Sequence, residues 1–107
     1  MAIKLTFKLL ERSQQNSKYD WMNVDSDHDR VGKVRGLIEG DCLIINSIYI
    51  FPEFEGNGYG AQVVRMFQSQ FRNIIADRVR PTARGFWQKM DFCDVHDGNY
   101  VWRRDKE

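Results

Sequence analysis

The chain has 107 residues, 42% of them hydrophobic and 29% charged, with a formal net charge of +1. This length suits one compact domain with one core and is too short for two, and the composition is that of an ordered globular protein. So small a net charge gives no general pull towards nucleic acid or an anionic membrane.

Residues 3–10 alternate Ile3, Leu5, Phe7 and Leu9 against Lys4, Thr6 and Lys8, which predicts a strand with one wet face. Ser13 to Lys18 is polar and reads as a loop. A weaker strand is expected over Tyr19 to Val24, then a turn holding Asp25, Asp27 and Asp29, then a third strand from Val31 to Ile38. Gly40-Asp41 marks a tight hairpin into the strongest strand, Cys42 to Phe51. After Gly60 the period becomes helical: Val63, Phe67, Phe71 and Ile74 recur every three or four residues. A strand over Ile74 to Val79 is stopped by Pro81. A second helix runs from Thr82, a good N-cap, to Met90, with Ala83, Phe86, Trp87 and Met90 on one face. Asp97-Gly98 reads as a turn, and Tyr100-Val101-Trp102 as a last strand. The order β-β-β-β-α-β-α-β predicts an α+β fold, a mixed and mostly antiparallel sheet with two main helices, in one domain. The central strand–helix–strand unit supplies the parallel part.

The turn Glu55-Gly56-Asn57-Gly58-Tyr59-Gly60 lies between the strongest strand and the first helix. Its three alternate glycines leave the backbone unshielded, so successive amides can aim at one point. The helix adds unpaired N–H groups and the positive end of its dipole. Together these predict an anion cradle, for phosphate; an ordinary tight connection is the plainer alternative. A P-loop needs Gly-Lys-Ser/Thr, and here Gly58 is followed by Tyr59 and Gly60. A dinucleotide domain needs Gly-x-Gly-x-x-Gly after an early parallel strand, whereas four antiparallel strands are expected first. Asp77 lies at the spacing of a ribose contact, but too little chain remains to finish such a domain. The third ligand class is coenzyme A.

At these residues the chain resembles a known family. Ile48-Tyr49-Ile50-Phe51-Pro52-Glu53-Phe54-Glu55-Gly56-Asn57-Gly58-Tyr59-Gly60 is similar to the acetyl-CoA signature of the GNAT superfamily of N-acetyltransferases. Ala83-Arg84-Gly85-Phe86-Trp87-Gln88-Lys89-Met90-Asp91-Phe92 resembles the second landmark of that family. Two landmarks in order are more specific than either alone, and the resemblance covers roughly residues 31–104. It implies acetyl-CoA as co-substrate and a primary amine of a small molecule, peptide or lysine as acceptor. Ile48 and Ile50 would offer main-chain hydrogen bonds to the pantetheine arm where the strand splays from its parallel neighbour. Gly56, Asn57, Gly58, Tyr59, Gly60 and Ala61 would hold the pyrophosphate. The deprotonated amine would attack the thioester directly, a backbone amide stabilising the oxyanion and a general acid returning a proton to the thiolate.

Four features depart from the family's pattern. Glu55 stands where the signature prefers Arg or Gln, and would repel pyrophosphate unless Arg65, Arg78, Arg80 or Arg84 compensates. Trp87 replaces a tyrosine that often serves as general acid, and indole is no proton donor at neutral pH. Asn46 and Ser47 stand where many members carry an acidic base. The polar 11–18 segment leaves little room for the helices that shape the acceptor site, so the N-terminal helical region is reduced. Asn46, Tyr100 and His96 remain as acid–base candidates. Tyr49, Asn46 and Ser47 are candidates to contact the acetyl group or the amine, with Asn46 expected on the face of Ile48 and Ile50, and Ser47 on that of Tyr49. These departures also feed a rival reading, a GNAT-shaped protein that binds acyl-CoA or docks a partner without catalysis.

Other features have plainer readings. The spacing of Asp25, Asp27 and Asp29 suggests a calcium loop, but Arg30 replaces the needed glycine and Gly36 the closing glutamate, so no metal is expected. Phe86 and Trp87 are expected in the core, as are Cys42 and Cys93, two reduced thiols too few and too far apart for a disulfide framework. His28 reads as a solvated loop residue. Arg72, Arg78, Arg80 and Arg84 read as a solvated face instead of a nucleic-acid stripe. Met1 to Leu5 alternates instead of forming a signal-peptide core, and no apolar run is long enough to span a membrane, which predicts a cytoplasmic protein. An open sheet edge gives so small a domain reason to form a homodimer.

Overall fold

The computed structural model describes residues 3–7, 19–26 and 29–104. The elements are β1 (Ile3–Phe7), β2 (Asp20–Ser26), β3 (Asp29–Glu39), β4 (Cys42–Ile50), α1 (Tyr59–Gln70), β5 (Asn73–Ala76), α2 (Arg84–Lys89), β6 (Cys93–Asp94) and β7 (Tyr100–Arg103). They form one seven-stranded sheet in the order β1-β2-β3-β4-β5-β7-β6. Among the described residues only β4 and β5 pair in parallel; every other neighbouring pair is antiparallel. The meander, the parallel crossover and the α+β class follow the sequence pattern, with the two-residue β6 added. No helix among the described residues is long and apolar enough to cross a membrane.

Both helices contribute to a single core. Val63, Val64 and Phe67 of α1 and Trp87 of α2 are buried with Met22, Val24, Val34, Leu43, Ile45, Ile74, Ala76 and Tyr100 of the sheet. These sheet residues are cross-strand neighbours: Met22 opposes Val34, Leu43 opposes Ile74, and Ala76 opposes both Ile45 and Tyr100. They therefore share one face, the face both helices cover. Trp87 packs edge-on against Phe86 and Phe92 at centroid distances of 5.1 and 4.8 Å, as a core tryptophan does.

Several boundaries differ from expectation. Helix α1 begins at Tyr59, because Gly58 (φ 77°) is its N-cap and accepts the first helical bond, from Gln62 N–H at 3.1 Å. Phe71 leaves the helix extended, and the carbonyl of Asp41 then accepts from the amides of Arg72 and Asn73, tying β5 to the β3–β4 hairpin. Thr82 does not cap the second helix. Pro81–Ala83 forms a 3-10 turn without a side-chain cap, and α2 starts only at Arg84. Strand β5 ends at Ala76, not Val79, because Arg78 turns left-handed (φ 53°). The amide of Arg78 then donates to Asn99 Oδ1 at 2.9 Å and that of Val79 to Gly98 O at 2.8 Å, which draws the chain towards β7.

Asp25 and Asp29 lie in strands β2 and β3 instead of in a turn; Asp27 and His28 lie outside the described residues. Asp25 Oδ1 accepts from Arg30 Nε at 3.0 Å. Cys93 is exposed on β6 instead of buried, because the two-residue strand sits at the end of the sheet. Cys42 is half-buried at the start of β4. The expected loop over residues 13–18 and the reduced region over 11–18 lie outside the described residues.

Candidate functional site

Strand β4 carries a bulge at the point that matters most. Its register with β3 pairs Ser47 with Arg35 but Ile45 with Gly36, leaving Asn46 as an extra residue. An inserted residue reverses the alternation of faces. Leu43 and Ile45 reach the core before the bulge; Ile48 and Ile50 do so after it. The bulge interrupts the period-two pattern at Asn46 itself, so the change of face falls between Ile45 and Ser47. Beyond it, Ser47 and Tyr49 pair with Arg35 and Lys33 on the sheet face away from the helices.

Past the bulge, β4 loses its parallel partner. The last link is the amide of Asp77 donating to Ile45 O at 2.8 Å, after which β5 turns away. Phe51 N–H donates to Val31 O on β3 at 2.8 Å. Alternation of main-chain groups then turns the amides and carbonyls of Ile50 and Ile48 to the open side.

The parting strands frame a cleft of about 840 Å³. One wall is β4 from Ile45 to Ile50; the other runs from Ala76 to Arg80, closed by Ala83, Phe86 and Trp87. Glu55 and Gly60 stand at the glycine-corner end, and Arg35 contributes from the face opposite the helices. The lining thus comes from both faces of the sheet, so the cleft passes through it.

The glycine corner is open. Gly56 (φ 83°) and Gly58 (φ 77°) adopt left-handed backbone that other residues avoid, and no atom stands within 4 Å of a Cβ built on either. Asn57 Nδ2 donates to Phe54 O at 3.1 Å, closing the turn. The N–H groups of Tyr59, Gly60 and Ala61 fall in the first turn of α1, where helical geometry provides no acceptor. The Tyr59 ring is buried, with Ser26 Oγ donating to its hydroxyl at 3.5 Å, so only its backbone faces this corner. Of the arginines considered against Glu55, Arg78 and Arg80 line the same cleft. Arg84 lines a different depression and Arg65 is exposed on α1.

At the fork of the strands stands a pair that sequence patterning did not connect. Tyr19 Oη donates to Asp77 Oδ2 at 2.7 Å. That hydrogen bond, followed by burial and the charge of Asp77, raises the Tyr19 pKa above its usual value of 10.0. The guanidinium of Arg35 lies 5.7 Å from the Tyr19 ring centroid and 5.6 Å from that of Trp21, and Lys33 Nζ is 4.5 Å from Trp21. Arg35 Nε is buried without a hydrogen-bond partner among the described residues. Asp77 was legible only as a spacing, and Tyr19 only as a strand start; nothing local joins them.

Tyr100 and His96, two of the acid–base candidates, do not line the cleft. They surround a separate depression of about 200 Å³ with Val79, Arg84, Asp94 and Gly98. Tyr100 is 2% exposed, and His96 is exposed with Nδ1 3.7 Å from Asp94 Oδ2. Asn46 does line the cleft. Among the described residues no group of three or more His, Cys, Asp or Glu side chains is placed to hold a metal ion.

No family model matches the sequence, and no curated protein does. Solved structures do. An acetyltransferase from Thermus thermophilus superposes with a TM-score of 0.75 at 15% identity, over 96% of this chain and 97% of that one. The Bacillus subtilis N-acetyltransferase YlbP, solved in complex with coenzyme A, gives 0.66 at 15% identity over 95% and 97%. A GNAT family acetyltransferase from Elizabethkingia anophelis with acetyl-CoA bound gives 0.65 at 9% identity over 94% and 97%. With near-complete coverage in both directions and little shared sequence, the chain has the fold of the GNAT acetyltransferases.

Proposed function

We propose that the protein is an N-acetyltransferase that moves acetyl from acetyl-CoA to a primary amine of a small molecule, peptide or lysine. The observation that carries this reading is the parting of β4 from β5 directly beside an open, glycine-lined helix N-terminus. The open main chain at Ile48 and Ile50 suits a pantetheine arm laid along β4 as an added strand. The corner from Gly56 to Ala61 suits a pyrophosphate, since the first-turn amides of α1 lack helical acceptors and nothing stands within 4 Å of a Cβ at Gly56 or Gly58. The complexes of YlbP with coenzyme A and of the Elizabethkingia protein with acetyl-CoA support this ligand for the fold.

The acceptor amine then approaches from the face away from the helices, where Ser47, Tyr49 and Asp77 border the cleft. Asn46, at the bulge, would orient a water that passes the amine's proton on to the departing CoA thiolate. The two free thiols fit a reducing compartment, hence the cytoplasm. The edge strands β1 and β6 leave main-chain groups for a second copy. A second reading, an acyl-CoA sensor without turnover, draws on Glu55 in the cleft and on the burial of Trp87 where a proton donor often stands.

Calorimetry with acetyl-CoA tests the shared part: absence of binding at millimolar ligand defeats both readings. An amine panel assayed for released CoA thiol separates them. Thiol release above the hydrolysis background supports transfer, whereas binding without it leaves the sensor. A folded Gly58→Val, Gly60→Val double variant that keeps full affinity would show the cradle to be elsewhere.

A further inference from the structure

The acceptor end of the cleft holds both signs of charge, and each is fixed by the same aromatic side chain. Tyr19 Oη occupies Asp77 Oδ2, leaving the other carboxylate oxygen for a second donor. This holds the carboxylate at the fork where the amide of the same residue makes the last link to β4. Arg35 lies against the Tyr19 and Trp21 rings, which fixes the guanidinium without neutralising it. Among the described residues it has no carboxylate within ion-pair distance, and its Nε has no partner. Nε is shut off from solvent, so a carboxylate entering the cleft would be gripped through the two terminal nitrogens. Both charged groups line one cleft, and both stand away from the helices, opposite the corner suited to phosphate.

We infer that the acceptor is an amino acid, its ammonium received by Asp77 and its carboxylate by Arg35. The inference rests on the acetyltransferase reading and deepens it, since it names what enters by the second face. A free amine would engage Asp77 alone and leave Arg35 unpaired. A peptide N-terminus would place an amide where the carboxylate belongs. In both cases the unmet guanidinium donors weigh against the ligand, the general reason polar subsites discriminate strongly against analogues that lack the matching group. Asp77 acts on the amine itself; Arg35 is a specificity-determining residue, touching only the carboxylate.

The test begins with calorimetry of the full chain and acetyl-CoA, so that loss of the underlying reading is seen separately. With acetyl-CoA binding established, the twenty amino acids and the amines formed from them by decarboxylation are compared for thiol release. The expected result is one or more amino acids exceeding the matched amine at least tenfold in kcat/KM. Arg35→Met, which keeps the packing against the rings, brings that ratio close to one through KM, and Arg35→Lys restores part of it. Asp77→Asn lowers kcat/KM for the amino acid at least tenfold. If acetyl-CoA binds and the panel shows equal rates for each pair, or rates only with amines, the inference is overturned. It is equally overturned if Arg35→Met lowers both members of a pair alike, or if no amino acid in the panel yields thiol.

Discussion

Tyr19 and Asp77 lie 58 residues apart and share a hydrogen bond of 2.7 Å at the fork of β4 and β5. One residue precedes the second strand and the other follows the fifth, so the bond forms only after the sheet is assembled. It can be read by pH. An ionised Tyr19 cannot donate and would face a carboxylate, so the folded chain holds this proton more tightly than the unfolded one. The stabilisation is complete below the unfolded tyrosine value of about 10 and is lost as pH rises through the higher folded value. Because the pair is half exposed, Tyr19→Phe costs under about 1 kcal/mol at neutral pH. Urea unfolding across pH is expected to show a constant difference between wild type and variant up to about pH 9, shrinking above about pH 10. A difference that persists to the alkaline limit of the folded state would contradict the assignment.

Glu55 lines the cleft at the corner proposed for the pyrophosphate. Glu55→Gln removes one exposed like charge and is expected to tighten acetyl-CoA binding by up to about 1 kcal/mol at low ionic strength. Screening shortens the reach of exposed charges to about 3 Å at 1 M salt, so the gain should fade there. Calorimetry at two salt concentrations reads this directly, and unchanged affinity at low salt would place the diphosphate away from Glu55.

Two glycines provide a matched test of packing. A Cβ built on Gly36 falls 2.7 Å from Ile44 O and 3.3 Å from Met22 Cε, against backbone that cannot yield locally. Gly36→Ala is expected to destabilise by about 1–3 kcal/mol, as overpacking does. Gly85 lies inside α2 with nothing within 4 Å of its Cβ position. Gly85→Ala is expected to be neutral or stabilising by up to about 1 kcal/mol, because alanine restricts the unfolded chain and suits a helix. Denaturant midpoints check both, and equal effects would show that β3 and β4 are less closely apposed.

The two thiols differ in reach and in chemistry. Cys93 is exposed, while Cys42 is half-buried and its pKa is raised by burial first and by Glu39 second. Since the thiolate is the reactive form, Cys42 alkylates more slowly at pH 8. Peptide mapping after brief iodoacetamide treatment should find Cys93 labelled first by about tenfold or more, and the order should vanish in urea.

Much of this architecture is written in short-range pattern. The alternation through β3 and β4, the helical period of Val63 and Phe67, and the glycine run from Gly56 to Gly60 are each set by neighbours in the chain. Steric preference, face periodicity and backbone freedom act over a few residues, so the sequence alone determined the order of elements and the open corner. Sheet assembly decided the rest. Asn46 became a bulge because Gly36 and Arg35 pair with residues on either side of it, and that register belongs to two strands at once. Tyr100, opposite Ala76, was carried into the core, and His96 with it to a separate depression. Tyr19, Arg35 and Asp77 met at one end of the cleft although no spacing relates them. Which side chains share a site depends on long-range pairing, where one inserted residue reverses the faces of everything beyond it.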